Sequence, residues 1–465
     1  MRPLRLLVLV ALLAAVPAAT ARAVARMPIG FFDDPSFRWS PAASANLAGA
    51  AAAHASVIRA LVDWASVAPT RPAHPLDGND PAYHLSDIDD LVVTALRYDL
   101  RVLLTITGTP PWANDGRSQK YPPTNLNDLT QFAHMLAARY NGSRPGAGVV
   151  TLFSVWNEPN LGQYLTPQFE GDKIVSPAEY VKLFMAAYTG IKAGDPNAVV
   201  AAGETSNRGR NHPSGGGADS VAPATFAELV AKADPKLPFV AWATHPVPTN
   251  PTFGPTQKVV FPDVAFSTMT EFGESLAKWF HRPVPIWITE YAEQTVPQHA
   301  GGVTYAQQAA DARKALELAE ANPYVQMFVW FVFRDSNAST WFSGLEQPSG
   351  KKNPAYAAFA STAAGTVGQS QVIAPGHPFN VTLAVPFIAW HDPAGSALGV
   401  TYVIKEGTST VVIGQPRVTL ARDDTVTFQV RFKPVKNQAY MLTVRIEDKH
   451  GQSESHVIAL IPVST

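Results

Sequence analysis

The chain has 465 residues, of which 46% are hydrophobic and 16% charged, and its formal net charge is −1. This is the composition of a globular protein with a large core, and the lack of a basic excess argues against nucleic acid as a partner. Cysteine is absent, which removes disulfides, thiol nucleophiles and thiolate metal sites together.

Residues 1–25 read as a secretory signal. Arg2 and Arg5 lead, Leu6 to Val16 is a short apolar stretch, and Ala21-Arg22-Ala23 or Ala23-Val24-Ala25 offers a cleavage site. An uncleaved anchor is the alternative. No second long apolar run follows, so no stable membrane insertion is expected after cleavage. The expected location is extracellular, either secreted or held at the cell surface.

Eight apolar runs then suggest strands: 27–32, 56–62, 101–107, 149–156, 198–203, 239–245, 284–290 and 325–333. Most are continuously apolar, as in parallel strands buried on both faces. The stretches between them look helical. Residues 86–100 carry an apolar face of Ile88, Leu91, Val92, Ala95 and Leu96, and 125–140 one of Leu129, Phe132, Ala133 and Leu136. Ser176-Pro177-Ala178-Glu179 reads as a capping box opening a helix to about Lys192, and Thr304 to Gln307 opens another. Strand and helix alternating eight times predict a (β/α)8 TIM barrel over 26–368. An open doubly wound sheet is the alternative, but no Gly-rich phosphate loop follows the first strand. From Gln369 the pattern changes to short alternating β runs separated by Gly, Pro, Asp and Asn. These predict a small all-β, immunoglobulin-like sandwich over 369–465, with Trp390 in its core. The polar, Gly-rich segment 207–220 reads as a mobile loop after the fifth strand.

In such a barrel the reactive groups sit at the carboxyl ends of the strands. There the sequence places Asn157-Glu158 on strand 4, Glu204 after strand 5, His245 on strand 6, Glu290 on strand 7 and Trp330 on strand 8. Arg59 interrupts the apolar second strand, and Trp112 lies just past the third. Strands 4 and 7 face each other across the ring, so Glu158 and Glu290 would share one pocket. Paired carboxyls suit glycoside hydrolysis, in which one protonates the leaving oxygen and the other attacks or supports the anomeric carbon. The bland alternative is a pair of solvated strand-end carboxylates. No His-x-x-x-His or His-x-His spacing suggests a metal, and no cofactor is expected.

WNEPN at 156–160 with ITEY at 288–291 resembles the large clan of retaining glycoside hydrolases on (β/α)8 barrels, over about residues 27–365. That clan includes cellulases, mannanases, β-xylosidases and β-galactosidases. The resemblance implies Glu158 as acid/base, Glu290 as nucleophile and Asn157 as partner of the 2-hydroxyl. It also implies Arg59 as support for the nucleophile and Trp330 as floor of the reacting subsite; His245 and Trp112 are expected as further substrate contacts from their places at the ends of strands 6 and 3 alone. TGTPPWA and WNEPNLGQY lean towards the β-xylosidase and iduronidase type. One departure stands out. The clan's tyrosine near the end of strand 6 is missing, and His245 stands there instead. The expectation is a secreted retaining β-glycosidase acting on carbohydrate. The alternative is a non-catalytic carbohydrate-binding or cell-surface protein on the same barrel.

Overall fold

The computed structural model describes residues 27–462 except 99, 145–146, 338–340, 368, 374–377, 390–391, 407–408, 423–424, 433–439 and 452. The expected signal segment and Trp390 lie outside the described residues. Eight parallel strands close into a ring in chain order. They are β1 (Ile29–Phe32), β2 (Val57–Asp63), β3 (Arg101–Thr107), β4 (Leu152–Val155), β5 (Val199–Ser206), β6 (Trp242–His245), β7 (Ile286–Tyr291) and β8 (Val325–Phe331). A helix follows each: α1 (Ala43–Ala52), α2 (Ser86–Arg97), α3 (Leu126–Arg139), α4 (Ser176–Gly194), α5 (Pro223–Ala233), α6 (Met269–Trp279), α7 (Tyr305–Ala321) and α8 (Pro354–Val367). The protein is thus a TIM barrel.

Burial on both faces explains the continuous apolar strands. Alternate residues fill the barrel, among them Val57, Leu103, Leu152, Val199, Met327 and Val329. The others pack outward on the helices. Inside, the bulky Trp287 is registered beside Ala243, so large and small side chains interlock. Outside, α4 lies so close to α3 that a Cβ on Gly190 would come within 2.1 Å of the Thr130 carbonyl oxygen.

Two helix expectations are corrected. Ser176 does not cap α4; its hydroxyl donates to Gln168 Oε1 at 2.7 Å, and no side chain caps the helix. Leu96 is exposed at 37%, unlike the rest of the apolar face expected for α2. Thr304 does cap α7, accepting from the Gln307 N–H at 3.1 Å.

The loops that leave the strands are much longer than those that return: 331 to 354 against 321 to 325, and 245 to 269 against 279 to 286. The carboxyl ends therefore carry most of the irregular chain, and there the site is built.

Beyond α8 the chain is almost wholly β. The larger sheet holds β9 (Gln369–Ile373), β11 (Ala397–Glu406), β12 (Ser409–Gly414), β13 (Arg417–Thr419), β15 (Tyr440–Glu447) and β16 (Ser453–Pro462). Its pairs are antiparallel except β9 with β16. An antiparallel ribbon of β10 (Phe379–Ala384) and β14 (Thr425–Val430) covers it. Val381, Leu383, Val426 and Phe428 of the ribbon share one core with Val400, Ile404, Leu442 and Val444 of the sheet. The described residues include one short helix, Pro386–Ala389, that the alternating pattern did not suggest. No described helix is long and apolar enough to cross a membrane.

Candidate active site

β4 ends at Val155, one residue sooner than expected, because Trp156 leaves extended geometry at φ 70°. Glu158 is also left-handed, at φ 43°. Non-glycine residues adopt such angles only when surrounding bonds hold them. Here the Trp156 N–H donates to the Ile106 carbonyl at 2.6 Å and the Glu158 N–H to the Glu204 carbonyl at 2.9 Å. The Trp156 indole N–H donates to the Tyr164 carbonyl, closing the loop.

Glu204 itself stands at φ 50° on a bulge in β5, where the register against β6 shifts between Ala202 and Thr205. Gly203, at φ 99°, makes the bulge possible. A Cβ there would sit 2.7 Å from the Ala243 carbonyl oxygen and the Trp242 ring.

Arg59 is fully buried and is the hub of the site. Its guanidinium donates to Glu290 Oε1 at 2.5 Å, to Asn157 Oδ1 at 2.8 Å and to Thr105 Oγ1 at 3.0 Å, and meets Glu204 Oε2 at 3.0 Å. It also stacks over Phe32 at 4.7 Å. Burial pulls the guanidinium pKa down, but Glu204 and Glu290 hold it above its ordinary value.

His245 completes the arrangement. Its Nδ1 lies 3.1 Å from Glu158 Oε1 and 3.7 Å from Glu290 Oε1, and its Nε2 lies 2.9 Å from Glu204 Oε2. Burial lowers its pKa, but Glu290, Glu158 and Glu204 together outweigh that and raise it to about 9. The imidazole is therefore a cation at neutral pH and donates from both nitrogens. Glu204 is buried too. Burial pushes its carboxyl up, yet Arg59 and His245 bring it down to about 2. The Thr289 hydroxyl donates to it at 2.6 Å.

Since Glu158 Oε1 and Glu290 Oε1 flank one nitrogen, they are separated by less than about 7 Å, which excludes the wide end of the inverting range. Both keep a little solvent contact, 16% and 14% of the side chain, at the floor of a cleft of about 1000 Å³. Tyr164, Asn207, Arg208, Gln294, Phe331 and Trp341 are among its walls. Burial first, then Glu158 and Glu290, raise the Tyr164 phenol to about 12, so it remains a neutral hydroxyl.

Of the residues singled out in the sequence, Arg59, Asn157, Glu158, Glu204, His245 and Glu290 come together. Trp330 does not join them. It points into the helix layer, packs on Tyr291 and donates its indole N–H to the Ser343 carbonyl. The next residue, Phe331, faces the cleft with Trp341, their rings 5.7 Å apart. Trp112 also lies elsewhere. It packs edge-on against Trp64 under Arg71 and donates to the Ala68 carbonyl. Tyr164, Thr289, Phe331 and Trp341 were not singled out. Tyr164 and Thr289 lie inside the quoted motifs, and Phe331 is one parity step from Trp330. Trp341 carried no sequence signal. Among the described residues, no group of three or more His, Asp or Glu is arranged to hold a metal.

A closed (β/α)8 barrel with opposed glutamates at the ends of the fourth and seventh strands, in a cleft at the carboxyl face, defines the barrel-type glycoside hydrolases. The chain belongs to the family Cellulase (glycosyl hydrolase family 5), whose model matches residues 25–334. It is an enzyme of that hydrolase class, and its substrate is a carbohydrate. No curated protein matches the sequence. Among solved structures, a glucosidase from Croceicoccus marinus is similar at 13% identity and TM-score 0.57, over 89% of this chain and 95% of that one. A family 39 glycoside hydrolase from Bacteroides cellulosilyticus is similar at 17% and 0.53, over 88% and 81%. A β-xylosidase from Caulobacter crescentus is similar at 16% and 0.51, over 89% and 98%. At these identities the likeness is one of fold.

Proposed function

We propose that the protein is an exported retaining β-glycosidase working by double displacement. One asymmetry supports the reading: Glu290 lies between Arg59 at 2.5 Å and His245 at 3.7 Å, whereas among the described residues the Glu158 carboxylate pairs with His245 alone, at 3.1 Å. The carboxylate clamped between two cations is placed to attack, and the one outside the reach of Arg59 to give and take the proton. In the first step Glu290 bonds to the anomeric carbon while the glycosidic C–O bond breaks and Glu158 protonates the departing oxygen. In the second, Glu158 takes a proton from water, the oxygen attacks, and Glu290 is released. Asn157 accepts from Arg59 through Oδ1, so its amide N–H groups face the cleft and can meet a sugar hydroxyl. Export rests on residues 1–25 alone.

The test uses aryl β-glycosides, beginning with the gluco and xylo sugars suggested by the similar structures. Glu158→Gln and Glu290→Gln should each lower turnover by about 100-fold or more. Azide needs no general base. It should restore turnover of an activated substrate in Glu158→Gln, giving the glycosyl azide with retained configuration. Unchanged turnover in both variants, or a rescued product of inverted configuration, would sink the assignment.

A further inference from the structure

Two cations on the cleft wall have no part in the steps above. Arg208 and Arg210 follow β5, flank Gly209 and both line the cleft. Both are exposed, and among the described residues neither guanidinium stands within ion-pair distance of a carboxylate. Arg210 makes one long contact, to Ser214 Oγ at 3.4 Å.

The carboxylates nearby are occupied in other ways. Asp219 accepts the Ser214 and Gly215 N–H groups at 2.6 and 2.7 Å. Asp263 accepts the Gly209 N–H at 3.2 Å, and burial keeps its pKa raised despite Arg208. Glu158 and Glu290 lie at the floor, bound to His245 and Arg59.

This wall belongs to Glu158. The Ser206 N–H donates to Asn160 Oδ1 at 2.9 Å, and the Ser206 hydroxyl donates to the Arg208 carbonyl at 3.1 Å. The Gly162 N–H donates to the Asp219 carbonyl at 2.8 Å. The segment after β5 is thereby zipped to the turn that carries Glu158. Ala292, Gln294, Phe331 and Trp341 line the cleft from the elements that follow Glu290. A leaving group departs on the side of the acid that protonates it.

We infer that the leaving-group side of the cleft receives an acidic saccharide, one whose departing sugar carries a carboxylate, and that Arg208 and Arg210 are its specificity-determining residues. The inference rests on the assignment of Glu158 as the acid. Two guanidinium forks spaced two residues apart suit a carboxylate better than a neutral hydroxyl, since each can pair with it through two N–H groups. The sites are exposed, so the effect is moderate and falls with salt.

The experiment compares two aryl β-glycosides of whichever sugar the enzyme accepts, one with a 4-carboxyphenyl and one with a neutral 4-carbamoylphenyl leaving group. The quantity read is the ratio of kcat/KM, anionic over neutral. In Arg208→Gln/Arg210→Gln that ratio should fall about tenfold, mostly through KM. It should fall in the wild type when ionic strength is raised, and recover in part in Arg208→Lys/Arg210→Lys. Turnover of both substrates with the same ratio in wild type and double Gln variant would overturn this inference alone. Turnover of neither by the wild type would overturn the glycosidase reading, and this inference with it.

Discussion

His245 stands where three glutamates converge. Burial by itself would strip its proton, and only the surrounding carboxylates reverse the sign, lifting the pKa from 6.5 to about 9. A folded-state pKa above the unfolded one adds stability that is full below pH 6.5 and is lost as pH rises through 9. Glu204 works in the opposite sense. Lowered from 4.5 to about 2, it adds stability that is full above pH 4.5 and is lost as pH falls through 2. These two groups therefore favour a stability plateau between pH 4.5 and 6.5. The wild-type melting midpoint should decline between pH 6.5 and 9, and His245→Asn should lack that decline. At pH 6 the variant should be less stable by about 3 kcal/mol, because Glu204 keeps its charge in a dry site with one cation fewer. A decline of equal size in His245→Asn would assign the effect to another group.

At the scale of elements, the bulge in β5 decides what His245 can hold. Without the extra residue, Glu204 would not meet Arg59, His245 and Thr289 at once. Gly203→Ala should destabilise the protein by about 2–4 kcal/mol, since its Cβ collides with the next strand rather than with a movable side-chain tip. The His245 imidazole, followed by NMR, should titrate closer to 6.5 as Glu204 retreats, and turnover should fall about tenfold or more. An unchanged titration would mean that something other than the bulge holds Glu204. The same bulge shows what the sequence conceals. Eight apolar runs of strand length were readable, and so were the polar residues that end them, because a carboxylate beside a Pro or a Tyr breaks an apolar run. Side-chain parity was not. A strand apolar on both faces has no period, so VQMFVWFVF does not reveal that Phe331 rather than Trp330 faces the cleft. Glu204 was visible as a strand-end carboxylate, but its triple pairing depends on a register shift between β5 and β6 that no local pattern encodes.

At the scale of the whole molecule, the cleft that holds Glu158 and Glu290 and the C-terminal sheets lie at opposite ends of the barrel. The tip of the β15–β16 hairpin approaches the starts of β3 and β4. Arg445, Gly451 and Ser453 line a crevice of about 190 Å³ there, together with Leu100, Arg101, Val149 and Thr151. Arg59, Asn157, Glu158, His245 and Glu290 all belong to the carboxyl face and precede α8 in the chain. We therefore expect the sheets to steady the barrel and to take no part in the reaction. A chain that stops at Val367 would uncover the buried Leu100 and Val102 on the crevice wall. Its melting midpoint should drop by roughly 5 °C, the response of a large domain to the loss of a few kcal/mol. Its kcat on an aryl glycoside should stay within about threefold of the full chain's, because the geometry around Arg59 is fixed by the barrel strands alone. Circular dichroism and gel filtration would establish that the shortened chain is folded and monodisperse before kcat is compared. A folded, soluble truncation without turnover would show that the sheets shape the cleft from a distance, and would move them from support to mechanism.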